Sequence, residues 1–125
     1  MQFFERDGKD NWVDENNVYL GYDMTQDCCE DASWFVSDGV PKNLDAPSSD
    51  FDWEGWQFDP SFRAEPDLVD PRYGYGVLDR GGAMTFRIVK GSEQKYLTLY
   101  NCHNGYYGHG FTFKIGETVV EVGSL

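Results

Sequence analysis

The chain lacks, first of all, any apolar run near the ~20 residues that cross a bilayer as a helix. Its opening, MQFFERDGKDNW, has neither the basic end nor the apolar stretch of a secretory signal, so a protein native from Met1 is expected to stay in the cytoplasm. Cysteine is scarce. Cys28, Cys29 and Cys102 form an odd set, which leaves at least one thiol unpaired and excludes the even disulfide framework of a small secreted domain. No window shows a sustained helical stripe, and there is no internal repeat or low-complexity tract. The glycine-rich GYGVLDRGG (74–82) lacks the lysine and the strand-to-helix setting of a phosphate-binding loop.

Positive charge is also short, with 10 Lys or Arg against 22 Asp or Glu for a net of −12. The deficit is uneven. Residues 1–72 carry eighteen acids and five bases, a net of −13, whereas residues 73–125 carry four acids and five bases, a net of +1. Such a field repels nucleic acid and acidic membranes, because phosphate affinity needs Lys and Arg to displace counterions. It attracts a basic surface; it also serves plain solubility.

Present in abundance are aromatics, with four Trp, eight Tyr and nine Phe, and 125 residues suffice for one domain with a real core. The C-terminal part alternates with period 2. AMTFRIV (83–89) sets Met84, Phe86 and Ile88 against Thr85 and Arg87; KYLTLYNC (95–102) sets Leu97 and Leu99 against Tyr96, Thr98 and Tyr100; FTFKI (111–115) and TVVEV (118–122) follow, joined by Gly116-Glu117. Four strands with short links predict an antiparallel meander over 83–122. Upstream, NVYLGY (17–22) and SWFVS (33–37) read as short strands. Five prolines between 41 and 72 predict a long acidic loop region, with FDWEGWQF (51–58) as a strand or aromatic anchor and room for one helical turn near 59–70. The expected fold is mainly β, β-rich α+β at most: a single domain over 1–125 with an acidic part, 1–72, ahead of the meander.

NCHNGYYGHGF (101–111) gathers both histidines, His103 and His109, with Cys102, and Asn104-Gly105 is a turn signal with Gly105 expected at positive φ. TQDCCED (25–31) holds the other two cysteines. With QDCCE (26–30), a strand ending TFRIVKG and the later NGYY (104–107), the chain resembles an uncharacterised domain family of bacteriophages and bacteria. The likeness covers roughly residues 15–40 and 83–115, and it implies a phage or mobile-element origin, hence the cytoplasm of a host cell, but no activity. Family members often carry a His shortly before the Cys pair, where this chain has Tyr22, Asp23 and Met24.

Two functional classes follow. A metal or thiol site could draw on Cys28, Cys29, Cys102, His103 and His109. Against metal, adjacent cysteines lack the Cys-x2-Cys spacing that lets two ligands converge. Against a nucleophile, Asp27, Glu30 and Asp31 raise rather than lower a thiol pKa. Structural cysteines and exposed loop histidines are the simpler account. No rigid carboxylate pair of the glycosidase kind is marked, and no cofactor is expected. The other class is binding without catalysis. Asp45, Asp50, Asp52, Glu54 and Asp59, interleaved with Phe51, Trp53, Trp56 and Phe58, form an acidic, aromatic strip that could imitate phosphates for a basic, nucleic-acid-binding host protein such as a nuclease or CRISPR effector. The aromatics could equally fold back on the sheet, and a virion or assembly component is a third possibility.

Overall fold

The computed structural model describes residues 1–25, 30–70, 75–76, 81–103 and 108–125, with backbone alone at 30–31, 69–70, 75–76, 81 and 103. Every regular element among them is a strand: β1 Gln2–Arg6, β2 Lys9–Val13, β3 Val18–Asp23, β4 Glu30–Ser37, β5 Gln57–Ala64, β6 Val69–Asp70, β7 Tyr75–Gly76, β8 Gly81–Lys90, β9 Glu93–His103, β10 Gly110–Ile115 and β11 Thr118–Ser124. They make a five-stranded sheet in the order β1-β2-β3-β10-β11, a four-stranded sheet in the order β4-β9-β8-β5, and the small β6-β7 pair. All pairings are antiparallel. The mainly β fold is thus observed, and no helix of the described residues is long and apolar enough to cross a membrane.

The meander is not. The hairpins β8–β9 and β10–β11 form as the alternation requires, but they belong to different sheets. β9 is taken on both sides by β8 and β4, while β10 lies between β3 and β11. The link after His103 therefore passes from one sheet to the other. Asn104-Gly105 lies outside the described residues.

Strands also form at 2–13, where the sequence reading names no element, and at 57–64, where it expects loop or a helical turn beyond residue 58. Asp7-Gly8, with φ of 55° and 74°, turns β1 into β2, as a two-residue hairpin of the I′ kind demands. β5 occupies 57–64 in place of a helical turn, and it carries Pro60 because it is an edge strand with an irregular register between Asp59 and Arg63. Proline costs a ladder bond only where a neighbour would have accepted it.

The inward faces share one core. From the five-stranded sheet come Trp12, Val18, Leu20, Tyr22, Phe111 and Phe113; from the other come Trp34, Phe58, Met84, Phe86, Ile88, Leu97 and Leu99. The outer face of the four-stranded sheet is also covered at one end, where Phe35, Ala83 and Tyr100 pack with Leu68 and Leu44. Thr85 and Thr98, fully buried there, satisfy each other at 2.8 Å.

Polar bonds tie the sheets across this core. Tyr22 Oη donates to the Tyr100 carbonyl at 2.7 Å. Arg63 Nε lies 2.8 Å from Glu121, an acid that the β11 bulge turns inward. Asp14 does most. Its Oδ1 accepts the backbone N–H groups of Asn16 and Val18, and its Oδ2 accepts that of Phe58 on β5, each at 2.9 Å. Asp14→Asn puts an NH2 where an acceptor is needed, so we expect a loss of roughly 2–4 kcal/mol in urea unfolding. A loss below about 1 kcal/mol would show that the tie is dispensable.

Candidate functional site

The acidic segment is the link between β4 and β5, residues 38–56, and its side chains part in two directions. Phe51 is half-buried, and Trp53, Trp56 and Phe58 are buried, at 8%, 4% and 4% exposure for the last three. Trp53 packs 5.7 Å from Trp34, 6.0 Å from Trp12 and 4.5 Å from Phe51, in tilted and edge-on geometries. The aromatics therefore fold back on the sheets. Trp53 and Trp56 belong to the core, where their indoles fasten the loop instead of meeting a partner directly.

The carboxylates point the other way. Asp45, Asp50, Asp52 and Glu54 are all exposed, and among the described residues none forms an ion pair. Local bonds order the backbone that carries them. Asp45 accepts from Ala46 N, Asp52 from Glu54 N, and the turn Trp53–Trp56 closes through Trp56 N and the Trp53 carbonyl with Gly55 at φ 83°. At the far edge of β4, Val36 N donates to Ser48 Oγ at 2.9 Å, which pins the middle of the loop to the sheet. Asp59 stands apart. It receives both Nε and Nη2 of Arg87, at 2.8 and 2.7 Å, and bonds from Ser61, and these hold its carboxyl below the usual range. Its charge is neutralised within the protein.

For the cysteines and histidines, topology supplies what spacing could not. β3 ends at Asp23 and β4 begins at Glu30; β9 ends at His103 and β10 begins at Gly110. Since β3 adjoins β10 and β4 adjoins β9, the end of β3 lies beside the start of β10 in one sheet, and the start of β4 beside the end of β9 in the other. In the ladder Glu30 faces His103 and Asp31 faces Cys102. Cys28, Cys29 and the His103 side chain lie outside the described residues. Among the described ones, no three His, Cys, Asp or Glu side chains could hold a metal ion. His109 corrects the expectation of an exposed histidine. It is 2% exposed, its Nδ1 bonds the Asp23 carbonyl, and its ring lies 6.1 Å from Tyr22. Its backbone pairs in both directions with Leu125.

No family model matches the chain, and neither the curated proteins nor the solved structures yield a match.

Two buried carboxylates escaped the sequence reading, which counted them only as charge. Asp14 is the inter-sheet tie. Asp10, 8% exposed, accepts the Trp34 indole N–H at 2.7 Å. Burial pushes its pKa up, the Trp34 bond opposes this, and Glu5 adds to it. Asp10 thus binds its proton more tightly when folded. Its contribution to stability is complete below the ordinary aspartate value of 3.8 and is lost as pH rises through the elevated folded value. Asp10→Asn keeps an acceptor for Trp34 and removes the charge. We expect it to match the wild type at pH 3.5 and to be the more stable by pH 7, measured by thermal melts across that range. A variant less stable at pH 7 would mean that the ionised form is the one the fold needs.

Proposed function

We propose that the protein, of phage or mobile-element origin, acts by binding, as an inhibitor whose 38–54 loop occupies a basic, nucleic-acid-binding surface on a host defence protein such as a nuclease or CRISPR effector. One observation carries this reading: Asp45, Asp50, Asp52 and Glu54 are exposed and have no ion pair among the described residues, on a loop that buried aromatics hold in place. Ordering the loop in advance spares the entropy that a free acidic tail would lose on binding. Carboxylates spaced along such a loop can replace phosphates in front of Arg and Lys, and attraction of this kind speeds encounter and weakens with salt.

The test is capture by the full chain beside the variant Asp45→Asn, Asp50→Asn, Asp52→Asn, Glu54→Gln. Exposed substitutions of this sort each change stability by about 0.5 kcal/mol or less, so the variant keeps its fold. The expected partner is basic, is displaced by duplex DNA and by raised salt, and is not retained by the variant. Equal retention by the variant, or indifference to salt and DNA, would refute the reading.

A second reading, a metal-dependent or thiol enzyme at the cysteine and histidine end, draws support from the register that sets Glu30 against His103 and Asp31 against Cys102. Elemental analysis with melting in chelator decides it. A stoichiometric transition metal and a chelator-sensitive melt are its expected signature; metal-free protein with an unchanged melt removes the metal form.

A further inference from the structure

The outer face of the five-stranded sheet carries little of this molecule's acid. Register places Arg6, Lys9, Asp23, Gly110 and Ser124 in one row, Phe4, Asn11, Gly21, Thr112 and Val122 in the next, and Gln2, Val13, Tyr19, Lys114 and Val119 in a third. Asp23 is the one acid among these positions. Unlike the outer face of the other sheet, no described segment packs across it.

A groove of ≈170 Å³ opens there, lined by Lys9, Tyr19, Gly21, Asp23, Thr112 and Val122 among others. Its polar groups are only partly spent. Lys9 and Asp23 are register partners across β2 and β3, yet no ion pair joins them. Asp23 Oδ1 accepts only from Thr25 N, and the Thr112 hydroxyl has no partner among the described residues. Tyr19 donates its proton to Asn11 Oδ1, and its hydroxyl lies over Gly21.

Glycines make the floor, and they differ in kind. A Cβ at Gly21 would collide with the Tyr19 hydroxyl, and one at Gly123 with the Phe111 ring, so packing explains both. Gly110 has no such reason. The nearest atom to an added Cβ there is 3.8 Å away, its φ is not positive, and the bulge of β10–β11 lies further along, between Phe113 and Lys114. As the first residue of β10, Gly110 leaves that end of the groove open to another molecule.

We propose that this groove is a saccharide subsite that seats one hexose unit of a glycan between Lys9, Asp23 and Thr112. Opposed charges left apart suit a neutral polyhydroxyl ligand, which offers donors to Asp23 and acceptors to Lys9, whereas a free anion would meet Asp23 and a free cation Lys9. Val122 supplies apolar surface for the sugar's C–H face.

The experiment is titration of the ¹⁵N-labelled full chain with a panel of methyl hexosides and their N-acetylamino counterparts, followed by amide shifts. At least one sugar should move Lys9, Gly21, Asp23, Gly110 and Thr112 together. Thr112→Val should weaken binding roughly tenfold, the loss of one hydrogen bond to a buried ligand group. Gly110→Leu, which fills the groove from an open position, should abolish it with the remaining amides unmoved; if that variant fails to fold, Thr112→Val decides. Three results would overturn the proposal: no response to any sugar up to about 10 mM, a range that covers weak single-unit binding; the same shifts with sodium sulfate, which would make Lys9 a plain anion site; or binding unchanged in Thr112→Val.

Discussion

One carboxylate joins the sheets where the β2–β3 hairpin meets β5. Asp14 receives three backbone N–H groups, two from its own turn and one from Phe58 across the sandwich. The local pair shapes a turn in which Asn17 sits at φ 59°, a conformation that Asn tolerates better than most residues. The distant bond saturates an N–H that β5, as an edge strand, has no neighbouring strand to take. Charge makes each of the three stronger, and burial makes each costly to lose. Since Trp56 lies two residues before Phe58, the same group also sets where the acidic loop rejoins the sheet. Structure and proposed function are linked at that point: the loop's exposed acids are only as well placed as its buried end.

A net charge of −12 hides a sorting of charge by surface. Among the described residues, the acids buried between the sheets, Asp10 and Asp14, have donors, and Glu121 lies beside Arg63. On the 38–56 loop Asp38 pairs with Lys95, while Asp45, Asp50, Asp52 and Glu54 are exposed and have no ion pair among the described residues; Arg6, Lys9 and Lys114 look out from the five-stranded sheet. At physiological ionic strength charges are screened beyond about 8 Å. A partner at a distance meets the overall negative field, but one in contact meets whichever face it touches. An acidic protein can therefore present an acidic loop to one molecule and a near-neutral polar groove to another.

The inward faces were legible residue by residue. Val18, Leu20 and Tyr22, then Met84, Phe86 and Ile88, then Leu97 and Leu99, are buried as their alternation requires. Pairing was not, because period 2 states which face is apolar and not which strand lies alongside. Six residues between His103 and Gly110 can close a hairpin or cross to the other sheet, and what decides is the presence of β3 and β4, far away in sequence, as better neighbours. Asp7-Gly8 was a local signal in plain view, masked by the charged residues on both sides of it. In the acidic loop, Asp-aromatic alternation resembles a strand, yet it arises because core and solvent compete for neighbouring side chains whatever the backbone does. Asp10 and Asp14 were illegible for a different reason: nothing local distinguishes a buried carboxylate from a solvated one when its partners lie in another sheet.

The same topology bears on the cysteines and histidines. With β3 beside β10 and β4 beside β9, register alone sets Cys102 and His103 against the start of β4 and brings His109 beside the end of β3, whatever their role. Proximity alone is thus weak evidence for a centre. The Nδ1 of His109 is engaged with the Asp23 carbonyl and its ring is packed beside Tyr22, so a ligand role would fall to Nε2 of this side chain alone. A site that used both members of an adjacent cysteine pair would face a further demand, since neighbouring side chains diverge wherever a chain is extended. The acidic loop carries no comparable geometric demand: its carboxylates need only stay exposed and stay put, and the buried indoles of Trp53 and Trp56 secure both.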